Sequence, residues 1–183
     1  MSEITGLFDA VNNGERGAMD RLFASLYDEL HQMAHRRLRA AAPDRALETT
    51  GLLHESYLRL LAAGSLRVTD RAHFLAYAAR VMRSIIVDFA RRYRAERRGG
   101  SALHVTLNTN VADEAHASED QIIRVHEALE ELVQVDARMV QVVDMRYFGG
   151  LSEAEIADVL DLTERTVRRD WQKARILLRA ALT

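Results

Sequence analysis

The stretch that most restricts what this chain can fold into runs from Leu151 to Trp171, two short amphipathic segments joined by a tight turn. Ser152 is a natural N-cap, and Glu155 three residues on completes a capping box, so two backbone donors are satisfied reciprocally. Ile156, Ala157 and Leu160 share one face of the helix that follows. Asp161 stands where a left-handed residue is wanted, a conformation Asp tolerates better than most residues. Thr163 then caps a second helix with Val167, Trp171, Ala174 and Leu178 as its inward stripe. Glu164, Arg165, Arg168 and Arg169 lead its outward face. This is the pattern of a helix-turn-helix, with cations on the leading turns of the helix that would enter a major groove.

A charged helix face is most often just a solvated one. Here the arginines crowd the N-terminal end of their helix, where the dipole disfavours them, and a polyanion is the partner that suits such a placement. Net charge over 183 residues is only −2, so contact with nucleic acid must come from local patches. With one proline and nine glycines there is little room for a turn-rich β architecture, and an all-α fold is expected. The absence of cysteine excludes disulfides and thiolate metal sites and suits a reducing compartment. Neither a basic segment followed by an apolar run nor a bilayer-length apolar stretch occurs, so a cytoplasmic location without a membrane partner is expected.

In chain order, Ile4, Leu7, Phe8 and Val11 mark a first helix that Asn12-Asn13-Gly14 breaks. One long helix is predicted next, with Leu22, Phe23, Leu26, Tyr27, Leu30, Met33, Ala34 and Leu38 inward. Arg36, Arg37 and Arg39 fall near its end, where the dipole welcomes them, and Pro43 lies in the loop beyond. Thr49 or Thr50 can cap a third helix carrying Leu53, Tyr57, Leu60 and Leu61, closed by Gly64-Ser65. Asp70 caps the fourth and longest, with Phe74, Ala78, Val81, Ile85 and Phe89 inward. It ends in Arg91-Arg92-Tyr93-Arg94-Ala95-Glu96-Arg97-Arg98, and so many arginines around one tyrosine suit a phosphate backbone with base stacking.

Residues 99–118 change character: small polar residues, a brief alternation at Leu103–Leu107 too short for a sheet, then acids. They read as an interdomain linker. Ile122, Val125, Leu129, Leu132 and Val133 open a second domain, Asp136 caps its next helix with Val140, Val143 and Tyr147 inward, and Gly149-Gly150 leads to the helix-turn-helix. The expected layout is therefore two small helical domains, 1–98 and 119–183, joined by a flexible linker.

Taken together, the chain resembles the extracytoplasmic-function (ECF) class of sigma-70 sigma factors over almost its whole length. Met145-Arg146-Tyr147-Phe148-Gly149-Gly150-Leu151-Ser152 through Thr166-Val167 is similar to the region-4 signature that reads the −35 promoter element. Leu52-Leu53-His54-Glu55-Ser56-Tyr57-Leu58-Arg59-Leu60 resembles region 2.2, and Phe74 to Arg98 resembles regions 2.3 and 2.4. The resemblance implies promoter DNA and core RNA polymerase as partners, the latter through the clamp helices of its largest subunit and the flap of the second-largest. It implies polymerase contacts from Glu48, His54, Glu55 and Arg59. Exposed −10-reading positions would be Arg80, Arg83, Ser84, Asp88, Arg91 and Arg92, with the loop 64–71 holding a flipped base. Holding an unpaired base in a protein pocket offsets an unstacking cost of a few kcal/mol. The −35 contacts would come from Arg165, Thr166, Arg168, Arg169 and Lys173, with about 1–3 kcal/mol of discrimination from each good base contact.

The chain departs from the family where an acidic stretch usually enters region 2.2: Glu48-Thr49-Thr50-Gly51 keeps one acid and offers two hydroxyls. His54 replaces the usual Gln, Tyr77 a frequent Trp, and Ser84 the usual Asn. A phosphate on Thr50, or on Thr49, would restore roughly −1.5 to −2 charge at a helix N-terminus, the pattern of ECF groups under a Ser/Thr kinase instead of an anti-sigma factor. The commoner role of Thr at that place is an N-cap. Two other functions compete. A helix-turn-helix repressor or activator that never joins polymerase leaves the N-terminal helices unexplained. A metalloenzyme could use His31 and His35 or His54-Glu55, but Leu58 stands where a second histidine is needed, so no enzyme, metal or other cofactor is expected.

Overall fold

The computed structural model describes residues 3–41, 48–63, 66–99 and 119–182, and all the regular structure among them is helical. Eight α-helices follow one another: α1 Glu3–Asn12, α2 Ala18–Ser25, α3 Tyr27–Ala41, α4 Thr49–Ala62, α5 Arg71–Gly99, α6 Glu119–Val143, α7 Glu153–Leu160 and α8 Glu164–Leu182. A π-helical turn, Asp144–Phe148, extends α6. The all-α expectation holds. Asp70 caps α5 through its Oδ1, which accepts the His73 N–H at 2.9 Å. Asp136 breaks α6 internally at φ −157°, ψ 97° and accepts the N–H of Arg138 at 3.0 Å, the cap expected there.

The N-terminal half wraps around Leu22, Leu26, Leu30, Leu52, Phe74 and Met82, all fully buried. Val142, Met145, Leu151, Ile156 and Val167 of the C-terminal half belong to the same buried cluster. The two halves thus share a core, and α6, the π turn and α7 all lie against α5. Each such apolar side chain taken from water contributes about 1.5–3 kcal/mol. A smaller cluster around Leu129, Leu132, Met139, Val140, Val143 and Ala174 ties α6 to α8.

Several sequence expectations need correction. The long second helix is two helices, broken at Leu26 (φ −110°, ψ 12°), where the Ser25 hydroxyl donates to the Leu22 carbonyl at 2.8 Å and competes with the helix ladder. Neither Thr49 nor Thr50 is a cap: Glu48 holds that place and the two threonines begin the helix. On α4 the inward row is Leu52, Leu53, Ser56 and Leu60, while Leu61 is exposed. A polar Ser56 can sit in that row because its hydroxyl donates to the Leu52 carbonyl at 2.6 Å. Tyr147 points to solvent, because the extra residue in the π turn rotates the following side chains and turns Phe148 inward instead. Arg37, placed by the sequence near a helix end where the dipole welcomes cations, is buried. Gly99, expected to open the 99–118 linker, is instead the last residue of α5, while Pro43, Gly64-Ser65 and residues 100–118 lie outside the described residues.

Candidate nucleic-acid interface

The C-terminal hairpin is built by its caps. Ser152 Oγ accepts the Glu155 N–H at 3.2 Å, and Glu155 Oε2 accepts the Ser152 N–H at 2.9 Å. That backbone donor leads the interactions holding the Glu155 carboxyl below its ordinary value. Asp161 takes the left-handed conformation at φ 52°, ψ 51°, and Thr163 Oγ1 accepts the Thr166 N–H at 3.3 Å. Val167 and Ala174 anchor α8 inward, with Trp171 and Leu178 half-buried beside them.

Arg165, Arg168, Arg169 and Lys173 are consequently exposed, and Thr166 is half-buried. They are not equivalent. Arg168 donates from Nε and Nη2 to Glu153 Oε2 at 3.0 and 2.7 Å, and Arg146 holds the other oxygen of the same carboxylate. Those bonds, Arg168 first, keep the Glu153 carboxyl low. Arg169 pairs loosely with Asp170 at 3.5 Å. Arg165 and Lys173 have no ion pair among the described residues.

Asp170 went unforeseen. It occupies the inward face of α8, 1% exposed, and accepts from Arg138 Nε at 2.8 Å. The signal was present in an acid lying between Val167 and Ala174, a position that obliges some cation to come to it.

On α5, Arg80, Arg91 and Arg92 are exposed, but the other −10 candidates are engaged. Arg59 Nη1 donates to Ser84 Oγ at 3.0 Å, and its Nη2 donates to Asp88 at 2.9 Å. Arg59 also pairs with Glu55 one helical turn away, at 3.3 Å. The structure therefore joins polymerase candidates (Glu55, Arg59) and −10 candidates (Ser84, Asp88) in one network across α4 and α5. Glu48, Thr50 and His54 stay exposed, and Thr49 is half-buried.

Arg83 corrects the expectation of an exposed side chain. Its side chain is 11% exposed and grips Asp144 of the π turn, Nε to Oδ1 at 3.0 Å and Nη2 to Oδ2 at 3.2 Å. Burial pushes the Asp144 carboxyl above its ordinary value, with Arg83 and then Arg80 and Arg37 pulling it back. Nearby, a recess of about 220 Å³ is bounded by Arg67, His73, Tyr77 and Arg80 on one side and by Gln141, Met145 and Leu160 on the other. It adjoins the described end of the 64–71 loop, which Asn12 clamps by donating to the Val68 carbonyl at 2.7 Å and accepting its N–H at 2.9 Å. Arg71 reaches both Glu29 and Glu155, the latter at 2.7 Å, and Arg94 meets Asp120 at 3.2 Å. The C-terminal half thus covers part of the candidate −10 face.

Among the described residues no group of three His, Cys, Asp or Glu side chains could hold a metal ion. His31 instead lies against Tyr27, ring centroids 5.9 Å apart. No helix among them is long and apolar enough to cross a membrane.

A chain whose described residues form only helices, and which sets a cationic helix behind a capped turn and a second cationic helix on its other half, is built as a DNA-reading protein of transcription. The family model described as ECF sigma factor matches residues 1–183, and the chain belongs to that family. That makes it an RNA polymerase sigma factor and disfavours a repressor or activator that works apart from polymerase. A search of curated proteins returns no match to this chain.

Proposed function

We propose that residues 1–98 dock on core RNA polymerase and read and melt the −10 element, that 119–183 read the −35 element, and that 99–118 tether the two. In this reading Glu48, His54, Glu55 and Arg59 face the clamp helices, and Arg80, Arg83, Ser84, Asp88, Arg91 and Arg92 face the −10 DNA. Arg165, Thr166, Arg168, Arg169 and Lys173 meet the −35 major groove, with Arg165 and Lys173 the first to engage because neither is tied to an internal carboxylate. The observation that carries this is the exposed row of cations on α8 in a chain of the ECF sigma family. Arg83 is held by Asp144 and reaches DNA only after the halves part, so the closed arrangement is the resting one.

We further propose that Thr50 is a phosphorylation switch worked by a Ser/Thr kinase in the cytoplasm, where polymerase is. Support comes from its exposure and from the Glu48 cap, which leaves the Thr50 hydroxyl without the capping bond that is its usual employment. The first-turn N–H groups and the helix dipole favour a phosphate there. Phosphorylation adds negative charge beside Glu48 and Glu55, where a basic partner surface would meet it. Thr50→Glu should raise affinity for core polymerase in a pull-down, and Thr50→Ala should lose transcription in cells. A Thr50→Glu protein that binds no better, with Thr50→Ala fully active, removes the switch and leaves the sigma assignment standing.

A further inference from the structure

A cavity of about 350 Å³ lies where α3 and α5 meet α6 and the π turn. Its floor is apolar, from Ile86, Val87, Ile122, Leu129 and Phe148. Four guanidinium groups line it, from Arg36, Arg37, Arg83 and Arg146, and none of the described residues lining it is acidic. Two of the four are spent, Arg83 on Asp144 and Arg146 on Glu153. The other two are not. Arg37 is 5% exposed, its guanidinium carbon stands 4.1 Å from the centre of the Phe148 ring, and neither of its Nη atoms has a hydrogen-bond partner. Arg36 stands at the rim beside Gly150, whose φ of +69° and missing Cβ leave room for the guanidinium: a Cβ there would come within 2.8 Å of Nη2.

A buried cation with two unsatisfied donors is costly, and it persists where something makes use of it. His126, also in the wall, is kept on the neutral side by burial and then by Arg83, and Asp144, the carboxylate that acts on Arg37 through space, is already gripped by Arg83. The volume falls within the range of small-molecule sites, and an apolar floor with a few convergent polar groups is their usual construction.

We propose that this cavity is a binding site for a small amphipathic anion, an aromatic or short aliphatic body bearing a phosphate, sulfonate or carboxylate head. The head accepts from the Arg37 Nη donors with Arg36 alongside, and the body lies on the apolar floor. Because one wall belongs to α3 and α5 and the other to α6 and the π turn, an occupant bridges the two halves of the chain and favours the arrangement in which they touch.

Titration calorimetry of the full chain with 2-naphthyl phosphate tests this, with inorganic phosphate and 2-naphthol as the separated parts. One naphthyl phosphate per chain is expected, with each part at least about tenfold weaker, the loss of roughly one charge-assisted bond or one buried ring. Arg37→Gln should weaken naphthyl phosphate at least about tenfold and leave the weak naphthol binding unchanged, a split that mere loss of packing would not produce. Arg36→Gln, on the exposed rim, should weaken it less, and Ile122→Trp, which fills the cavity, should abolish binding of both. If Arg37→Gln does not fold, these last two variants decide. Naphthyl phosphate binding no tighter than naphthol, or undiminished in the arginine and cavity-filling variants, overturns the site.

Discussion

Replacing Asp144 by Asn should shift the two halves of the molecule toward separation. The carboxylate is 1% exposed and holds Arg83 through two contacts, at 3.0 and 3.2 Å, on a side chain itself 11% exposed. Asn keeps the shape and removes the charge, leaving Arg83 facing Arg37 and Arg80 with no anion between them. Removing one partner of a buried pair costs about 3–5 kcal/mol. Two features place the cost at the lower end, near about 3 kcal/mol. Arg83 retains some access to water, and burial already works against the Asp144 carboxylate, raising its pKa. That figure shifts the balance between touching and separated halves by about a hundredfold. If apolar burial by Val142, Met145 and Phe148 alone held the halves together, an isosteric exchange would matter by about 0.5 kcal/mol or less. Because the chain has no cysteine, Ala24→Cys and Ala137→Cys, both exposed, give a clean pair for fluorescence energy transfer. Transfer should fall sharply in Asp144→Asn while far-ultraviolet circular dichroism keeps its helical signal. An unchanged transfer efficiency, with unfolding free energy within about 0.5 kcal/mol of the parent, would refute the reasoning.

Three further outcomes follow from the hairpin. Ser152→Ala removes the cap of α7 and should cost about 1 kcal/mol, lowering the melting temperature by about 2–4 °C in a scanning calorimeter. The Glu155 carboxyl is held low by the Ser152 N–H and then by Ser152 Oγ and Arg71. Its contribution is therefore complete above the ordinary glutamate pKa and fades as pH falls through the depressed one, so Glu155→Gln should flatten the stability–pH curve below about pH 4 and lower it at neutral pH. Gly149→Ala would bring a Cβ to 2.5 Å from the Met145 carbonyl oxygen and 2.6 Å from Leu151 Cδ1, and since backbone cannot yield as a side chain tip can, denaturant unfolding should show a loss of about 1–3 kcal/mol.

The hairpin was legible because its signals are local: a capping box, a left-handed Asp and a threonine cap each act within four residues, and all three appear where the sequence sets them. What was not legible depends on partners distant in the chain. Arg37 reads as a cation welcomed by a helix dipole until Phe148 covers it, and Arg83 reads as a DNA contact until Asp144 arrives. Ser56 and Asp170 were passed over as inward residues because polarity argues for the surface, and each is buried with its own hydrogen-bond partner. The π turn cost the reading of Tyr147, since one extra residue in a turn shifts the face of everything after it.

The most direct test of the whole account is start-site mapping with bare core polymerase, this chain and a library of promoter sequences, with Thr50→Glu run in parallel. Transcripts should begin at one fixed distance from a recurring pair of elements, and Arg165→Ala should relax selection at the upstream element by roughly 5- to 150-fold, the equivalent of about 1–3 kcal/mol. Transcripts that start at no defined position with either form would contradict it.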